Sequence, residues 1–290
     1  MSEFTKSRSS ALDAPATGRE PLRLMAVLAH PDDESLGLGG VLARYSAEGV
    51  ATHLVTATRG QRGRFKGVPP GDGHPGPEAM ARIREAELRA AAAVLGIRDV
   101  TLLDYMDGEV DQADPDEATA LIATHLRRVR PQVVLTFDPY GGYGHPDHIA
   151  VCQFTTAALV AAADPAAPGL DHALAPHAVA KLYYMVSTEA SWEVYQAVFK
   201  RLVSVVDGVE RVGQPWPEWA ITTRVDTREH WATVWRAVSC HQTQIGAYEK
   251  LRDLSPDYHE RLWGSQRFYR AMSLVNGGRR LETDLFDGLR

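Results

Sequence analysis

The feature that most constrains the fold of this chain is an alternation of short apolar runs and helical patterns across its first half. Four apolar runs have the length and composition of strands buried in a sheet. They occupy residues 23–29, 50–58, 100–103 and 133–137. Each is followed by a helical pattern, at residues 38–48, 78–95, 116–129 and 149–163. This order predicts an α/β, Rossmann-like fold with a mostly parallel sheet and helices on both faces.

The alternation loosens after Pro165, where we expect a C-terminal α/β extension. The patterns predict strands at 180–187 and 220–225 and helices at 191–206 and 228–248, whereas residues 261–272 fit either type. Residues 1–21 are rich in Ser, Thr, Ala and charge, and are predicted to form a disordered tail. We therefore expect one domain over residues 22–290, with its core at 23–163 and the extension at 164–290.

Composition narrows the classes of function. The net charge of -6 argues against a nucleic-acid binder, whose surface is usually basic. Two cysteines, Cys152 and Cys240, argue against a disulfide framework and a cysteine-built zinc site. No apolar run approaches the roughly 20 residues of a membrane span, and no secretion signal is evident, so a cytoplasmic location is predicted. The oligomeric state is left open.

Two polar loops follow apolar runs and contain the candidate chemistry. The first is Ala29-His30-Pro31-Asp32-Asp33-Glu34, and the second is Gly141-Gly142-Tyr143-Gly144-His145-Pro146-Asp147-His148. Ligands of open parallel sheets bind beyond the carboxyl ends of the strands, where the strand order reverses. If strands 23–29 and 133–137 are neighbours, the two loops share one crevice.

Two imidazoles and a carboxylate suit a divalent cation such as zinc, which lowers the pKa of water. A second carboxylate nearby can accept the proton of that water, so Asp32 and Asp33 suggest one metal ligand and one base. Each loop alone also fits a turn in which Asp caps the next helix. Glu34 fits either a residue that orients a histidine or a favourable charge at a helix N-terminus.

These paired loops resemble the PIG-L/LmbE family of zinc-dependent de-N-acetylases, which includes deacetylases and amidases of mycothiol and bacillithiol metabolism. The resemblance covers residues 23–163 and extends more weakly to 221–226 and 240–244. It implies a hydrolase that removes an N-acetyl or other N-acyl group from a glucosamine-type conjugate. Zinc would be the cofactor, with Fe²⁺ as an alternative in vivo.

The resemblance also implies individual roles. His30, Asp33 and His148 would bind zinc, and Asp32 would be the general base. His145 would stabilise the oxyanion or protonate the leaving amine. Tyr143 would polarise the amide carbonyl. Asp147 would tune His145.

Four further residues match substrate-binding positions of the family. They are Arg84, Asp107, His241 and Gln244. The long loop at 59–77 departs from the mycothiol-pathway pattern Gly-Glu-Glu-Gly, because it begins Gly60-Gln61-Arg62-Gly63. Its arginines would suit a substrate with phosphate or carboxylate, or would simply solvate the loop.

Three other functions remain open from the sequence. An amidase of thiol S-conjugates lies within the same family. An iron(II) oxygenase also uses two histidines and a carboxylate, but such sites usually occur on all-β folds. A non-catalytic sugar-binding protein could use the same scaffold.

Overall fold

The computed structural model describes residues 21–199, 203–206, 208–278 and 280–290. Its strands are β1 (Arg23–Leu28), β2 (Ala51–Thr58), β3 (Asp99–Tyr105), β4 (Val133–Phe137), β5 (Lys181–Val186), β6 (Val203–Val206), β7 (Val209–Val212), β8 (Thr223–Asp226) and β9 (Ser265–Ser273). Its helices are α1 (Asp33–Leu36), α2 (Gly39–Ala47), α3 (Pro77–Leu95), α4 (Pro115–Val129), α5 (Gly141–Gly144), α6 (Pro146–Ala163), α7 (Glu189–Phe199), α8 (Trp231–Val238), α9 (Ile245–Arg252) and α10 (Pro256–Trp263).

Seven strands form the central sheet, in the order β3-β2-β1-β4-β5-β9-β8. Strands β1 to β5 are parallel, and β9 alone runs antiparallel to its two neighbours. The predicted α/β, mostly parallel architecture is therefore confirmed. Strands β1 and β4 are neighbours, with Leu24 opposite Val133 and Ala26 opposite Leu135. The strand order reverses between them, which creates the expected crevice at their carboxyl ends.

The core lies between the sheet and two helical layers. Strands β1 and β4 are almost completely buried, as is expected for central parallel strands. Helices α2 and α3 pack with α8, while α4 and α6 pack with each other. No helix within the described residues is long and apolar enough to cross a bilayer.

The first-half elements agree with prediction to within a few residues, but two helices of the extension were predicted wrongly. The helix predicted at 191–206 ends at Phe199, and residues 203–206 form β6 of a hairpin with β7. The valines of this segment favour a strand. The helix predicted at 228–248 is interrupted at residues 239–244, where the backbone turns and Thr243 bonds to Glu87 of α3.

Two other predictions had different outcomes. Residues 261–272, which fit either type, are divided between α10 and β9. The predicted tail at 1–21 lies outside the described residues except for Pro21. The division into core and extension stays a prediction.

Candidate active site and metal centre

The candidate site is built where β1 and β4 end. His30 and Asp33 follow β1, and His145 and His148 lie at the start of α6, which follows β4. His145 is the N-cap of α6, because its Nδ1 accepts the amide N–H of Asp147 at 3.2 Å. The two loops predicted to meet therefore do so, across 118 positions of sequence between His30 and His148.

The possible ligand atoms of the three predicted metal ligands lie close together. His30 Nδ1 lies 3.2 Å from His148 Nε2. Asp33 Oδ2 lies 3.6 Å from His30 Nδ1, and Asp33 Oδ1 lies 3.6 Å from His148 Nε2. Ligands of a tetrahedral zinc ion at its usual bond lengths lie about 3.4 Å apart. The donor types and these separations thus fit a zinc-type centre. His145 could offer an alternative third ligand, because one ring nitrogen of each of His30, His145 and His148 lies within 4.8 Å of the others.

Outer hydrogen bonds orient both imidazoles. His30 Nε2 lies 2.9 Å from Asp147 Oδ2 and 3.2 Å from Asp107 Oδ1, while His148 Nδ1 lies 3.2 Å from the Gly141 carbonyl oxygen. Each of these contacts assigns a proton to the outer nitrogen and directs the other nitrogen inward. Metal-binding histidines are commonly held in this way.

Two of the residues that the family resemblance singled out, Asp147 and Asp107, make contacts beyond their implied roles. The Asp147 carboxylate bonds to His30 and to the amides of Gly108 and Val110, whereas only its backbone N–H meets His145. Asp107 lines the cleft, but it also bonds to His30. Both carboxylates therefore bond to His30, Asp107 from the turn after β3 and Asp147 from the first turn of α6.

The electrostatics separate the two histidines. Burial lowers the pKa of His30, but hydrogen bonds to Asp107, Asp147 and Asp33 outweigh it and raise that pKa well above 6.5. Burial lowers the pKa of His148 to about 3, although Asp33 opposes this effect. Burial raises the pKa of Asp33, but the neighbouring His148 and His30 outweigh this and hold it well below its usual value. Without metal, His30 is thus the protonated member.

Asp32 is held by Arg84 of α3. Arg84 Nη2 donates to Asp32 Oδ2 at 3.0 Å and also to the Pro31 carbonyl, and Nη1 donates to the Gly60 carbonyl at 3.1 Å. Arg84 is only 3% exposed. The resemblance implied a residue that contacts substrate hydroxyls. Arg84 does line the cleft, but its hydrogen bonds are to other residues of the protein, so it first of all fixes Asp32.

Glu34, whose role the sequence left open, is fully buried beside His241. Its Oε1 lies 2.8 Å from His241 Nε2, and its Oε2 accepts the amide N–H of Asp32 at 2.9 Å. Burial lowers the pKa of His241, but the Glu34 charge outweighs it and raises that pKa. His241 was predicted to bind substrate. It instead lies behind the cleft wall, because Glu34 pairs with it there.

Aromatic side chains lie around the histidines of the candidate site. The ring of Tyr143 lies 5.4 Å from that of His148 and 5.9 Å from that of His145, and it faces the cleft. Phe137 stacks on His148 at 3.9 Å. Tyr195 of α7 also lines this part of the cleft. Sequence reasoning missed Tyr195, because no motif links α7 to the two loops.

Asp138 is a second residue that the sequence analysis missed. This buried carboxylate accepts the Gly142 amide at 2.8 Å and the Trp216 indole N–H at 2.7 Å. Burial raises its pKa. Asp138 thereby ties the glycine loop that presents Tyr143 to the C-terminal extension. Its position directly after β4 was the available clue.

The site opens into a cleft of about 870 Å³. Gln244 lines this cleft, and its Nε2 donates to the Arg64 carbonyl at 2.7 Å. Arg62 and Arg64 also line the cleft, and Arg62 pairs with Glu109. The 59–77 loop is therefore a wall of the cleft, held in place by residues that follow α8.

Comparisons with known proteins agree with this geometry. A deacetylase from Kineococcus radiotolerans, named 1D-myo-inositol 2-acetamido-2-deoxy-alpha-D-glucopyranoside deacetylase, is 36% identical, over 93% of this chain and 84% of its own. The N,N'-diacetylchitobiose deacetylase of Pyrococcus horikoshii has a similar structure, with a TM-score of 0.63 and 21% identity over 86% of this chain and 83% of its own.

The same fold occurs in an enzyme of another class. The 4-carboxy-2-hydroxymuconate hydratase of Pseudomonas putida KT2440 aligns with a TM-score of 0.64 and 19% identity, over 89% of this chain and 99% of its own. Fold alone therefore does not identify the reaction. The family model described as PIG-L, GlcNAc-PI de-N-acetylase, matches residues 25–159. On the strength of this match and of the extensive identity to the Kineococcus enzyme, the chain belongs to the PIG-L family.

Proposed function

We propose that this chain is a metal-dependent hydrolase that removes the acetyl group from the 2-amino nitrogen of a glucosamine-type sugar conjugate. The observation that carries the proposal is the convergence of His30 Nδ1, His148 Nε2 and the Asp33 carboxylate beside Asp32, at the base of a cleft. Its curated relatives are named as deacetylases of such a conjugate. This favours deacetylation over the amidase alternative.

His30, Asp33 and His148 would hold the metal, with zinc as the first candidate and Fe²⁺ as the alternative. A divalent cation bound there would supply a water molecule of lowered pKa and polarise the amide carbonyl. Asp33 is the preferred third ligand over His145, because the Nδ1 of His145 already accepts a hydrogen bond and its ring faces the cleft.

The remaining residues move protons and hold charge. Asp32 accepts a proton as water oxygen bonds to the acyl carbon, and Arg84 keeps its carboxylate in place. Tyr143 and His145 face the charge that develops on the carbonyl oxygen. The C–N bond then breaks as the nitrogen receives a proton, from His145 or from Asp32. The products are the free amine and acetate.

The aglycone follows less directly from the site. The relatives' names point to a myo-inositol conjugate. A second candidate is a conjugate that bears phosphate or carboxylate. Three basic residues away from the metal ligands favour it, because they line the same cleft and guanidinium and ammonium groups bind such anions. They are Arg64, Lys250 and Arg267.

The proposal is tested by measuring amine and acetate release from a panel of N-acetylglucosaminides by the zinc-loaded protein. The panel contains myo-inositol, inositol phosphate and carboxylate aglycones, with a thiol S-conjugate as the amidase control. We expect equimolar amine and acetate from at least one glucosaminide, and none after metal removal. Turnover of the S-conjugate alone would contradict the proposal.

A further inference from the structure

The main chain of Asp32 has an unusual conformation. Its φ is 124° and its ψ is -24°, whereas the other described non-glycine residues with positive φ lie between 51° and 65°. Those values fall in the left-handed helical region that L residues visit, and 124° does not. Such backbone strain persists only where surrounding contacts impose it, and it is typical of functional sites.

The contact that meets this strained peptide is Glu34. Its Oε2 accepts the Asp32 N–H at 2.9 Å. Its Oε1 accepts the Ser35 hydroxyl at 2.5 Å and lies 2.8 Å from His241 Nε2. Glu34, Ser35 and His241 are all fully buried. Both oxygens of the Glu34 carboxylate therefore accept hydrogen bonds, Oε2 from Asp32 and Oε1 from Ser35 and His241.

The other end of Asp32 is held separately. Arg84 Nη2 donates to Asp32 Oδ2 at 3.0 Å and also to the carbonyl of Pro31, on the opposite side of the same peptide. The amide, the preceding carbonyl and the carboxylate of this segment thus each have a charged partner. Two buried side chains, from α1 and α3, fix the base between them.

We propose that Glu34, supported by His241, is a positioning residue that imposes the strained backbone of Asp32 and so aims its carboxylate at the attacking water. This inference rests on the proposed function, in which Asp32 is the base. Stability alone explains the pair poorly, because replacement of a buried ion pair by apolar residues is often neutral or stabilising. A placement error of about 1 Å in a catalytic group can cost about 100-fold in rate.

The variant that tests the inference replaces both members, Glu34→Leu with His241→Phe. Glu34→Ala alone would leave His241 unpaired in the core and risk unfolding, whereas the double variant removes both members of the ion pair and leaves only the small Ser35 hydroxyl without its acceptor. We expect kcat to fall about 10- to 100-fold, while KM and bound zinc stay close to wild type. A folded, zinc-loaded double variant with wild-type kcat would overturn the inference.

A conservative variant provides the rescue. In Glu34→Gln, the amide oxygen can accept the Asp32 N–H while the amide nitrogen donates to His241 Nε2. His241 Nδ1, which has no hydrogen-bond partner, can then carry the imidazole proton. We expect kcat within about threefold of wild type, as geometry is preserved. A loss in this variant as large as in the double variant would count against backbone positioning.

The matched control is Glu282→Gln. Glu282 is also a buried carboxylate, and it accepts hydrogen bonds from Lys181 and Tyr183 at the opposite ends of the strands from the catalytic loops. This variant should lower Tm without lowering kcat, which separates general destabilisation from positioning. An equal fall in kcat here would show that the assay reports stability instead.

A crystal structure of the double variant gives a readout that does not depend on turnover. We expect the φ of Asp32 to relax and its carboxylate to leave Arg84. If the wild-type protein releases no amine, the deacetylase proposal fails, but this structure still tests the backbone. An unchanged Asp32 conformation would reject the inference even if the deacetylase activity is real.

Discussion

His30 Nδ1 lies 3.2 Å from His148 Nε2, and the hydrogen bond between them occupies the space where a metal would bind. The Nδ1 of His148 faces the Gly141 carbonyl, so its Nε2 is left with a lone pair. Burial lowers the pKa of His30. Asp107 and Asp147 face its outer nitrogen, and their effect outweighs that of burial and raises the pKa. The metal-free site therefore stores one proton between its two histidines.

Metal binding should release that proton. Because the pKa of His30 lies well above 6.5 without metal, His30 is protonated at pH 7 and must lose its proton to become a ligand. Affinity should therefore rise with pH until the metal-free His30 is neutral. Calorimetry of zinc binding at pH 7 in buffers of different ionisation enthalpy should show about one proton released per metal.

The Asp147→Asn variant is the control for this titration. It removes a carboxylate that raises the pKa of His30, so fewer protons should be released at pH 7. Binding without proton release in the wild-type protein would show that His30 is neutral before the metal arrives.

Adjacent aspartates should separate metal binding from proton transfer. Asp32→Ala should retain zinc and lose activity by about 100-fold or more, since Asp32 bonds to Arg84 and is proposed to be the base. Asp33→Ala should lose zinc, because its carboxylate faces both histidines. Elemental analysis beside turnover measures both effects. A zinc-loaded Asp32→Ala protein with near-wild-type turnover would remove the base assignment.

Arg84→Lys should act on the base without removing charge. A lysine ammonium cannot reproduce the fork that bonds to Asp32, Pro31 and Gly60. We expect kcat to fall about tenfold or more with bound zinc unchanged. Arg82→Lys, on the exposed face of the same helix, is the matched control and should leave kcat intact. An equal fall in kcat in both variants would argue against a role for the hydrogen bonds from Arg84.

The sequence predicted which two loops meet much better than the contacts that surround them. The loops that contain His30, Asp33 and His148 were expected to meet if their two strands are neighbours, and the family resemblance singled out these three residues as metal ligands. The support of the base could not be predicted, because Glu34 and His241 are 207 positions apart and their contact depends on where α8 packs. The contact of the Asp147 carboxylate with His30 could not be predicted for a similar reason, since the two residues are 117 positions apart.

The same distinction applies to the fold. Helices and strands of the first half have strong periodicity and agree with prediction. The segment 203–206 was placed in a helix because apolar residues continue through it, yet its valines pair with those of β7 in a hairpin. The local sequence pattern of residues 203–206 does not show that a strand able to pair with them follows in the chain.

Basic residues of the cleft should discriminate between aglycones. If the aglycone carries phosphate or carboxylate, Arg64→Gln should raise KM for the anionic conjugate about 5- to 50-fold, and change KM for a neutral conjugate little. Arg128→Gln removes the same charge from an exposed position on α4 and is the control for net charge. Equal KM changes for neutral and anionic conjugates would favour the view that Arg64 only solvates the loop.

The buried Glu282 should make part of the stability pH-dependent. Burial raises its pKa, but hydrogen bonds from Lys181, Tyr183 and other donors outweigh this and lower it to about 2. A carboxylate with a depressed folded-state pKa contributes stability above its unfolded pKa of about 4.3. That contribution is lost as the pH falls from there towards 2.

The Tm difference between wild type and Glu282→Gln should therefore be largest at neutral pH and shrink below about pH 4.5. Thermal unfolding from pH 7 to 3 measures it. Glu229→Gln, at an exposed position, serves as the control and should show no such trend. A difference that stays constant with pH would mean that Glu282 is not charged in the folded protein.

The contacts that hold Asp32, from Glu34 and Arg84, have a consequence for the folding of the chain during its synthesis on the ribosome. His241, which backs Glu34, is synthesised 207 residues after it. A nascent chain can therefore contain all of the proposed metal ligands, complete at His148, while the base still lacks its support. Strand β9 completes the sheet later still, and it inserts between β5 and β8. On the proposed roles, the metal ligands are synthesised before the residue that supports Asp32, so full activity is expected only after the last third of the chain has folded.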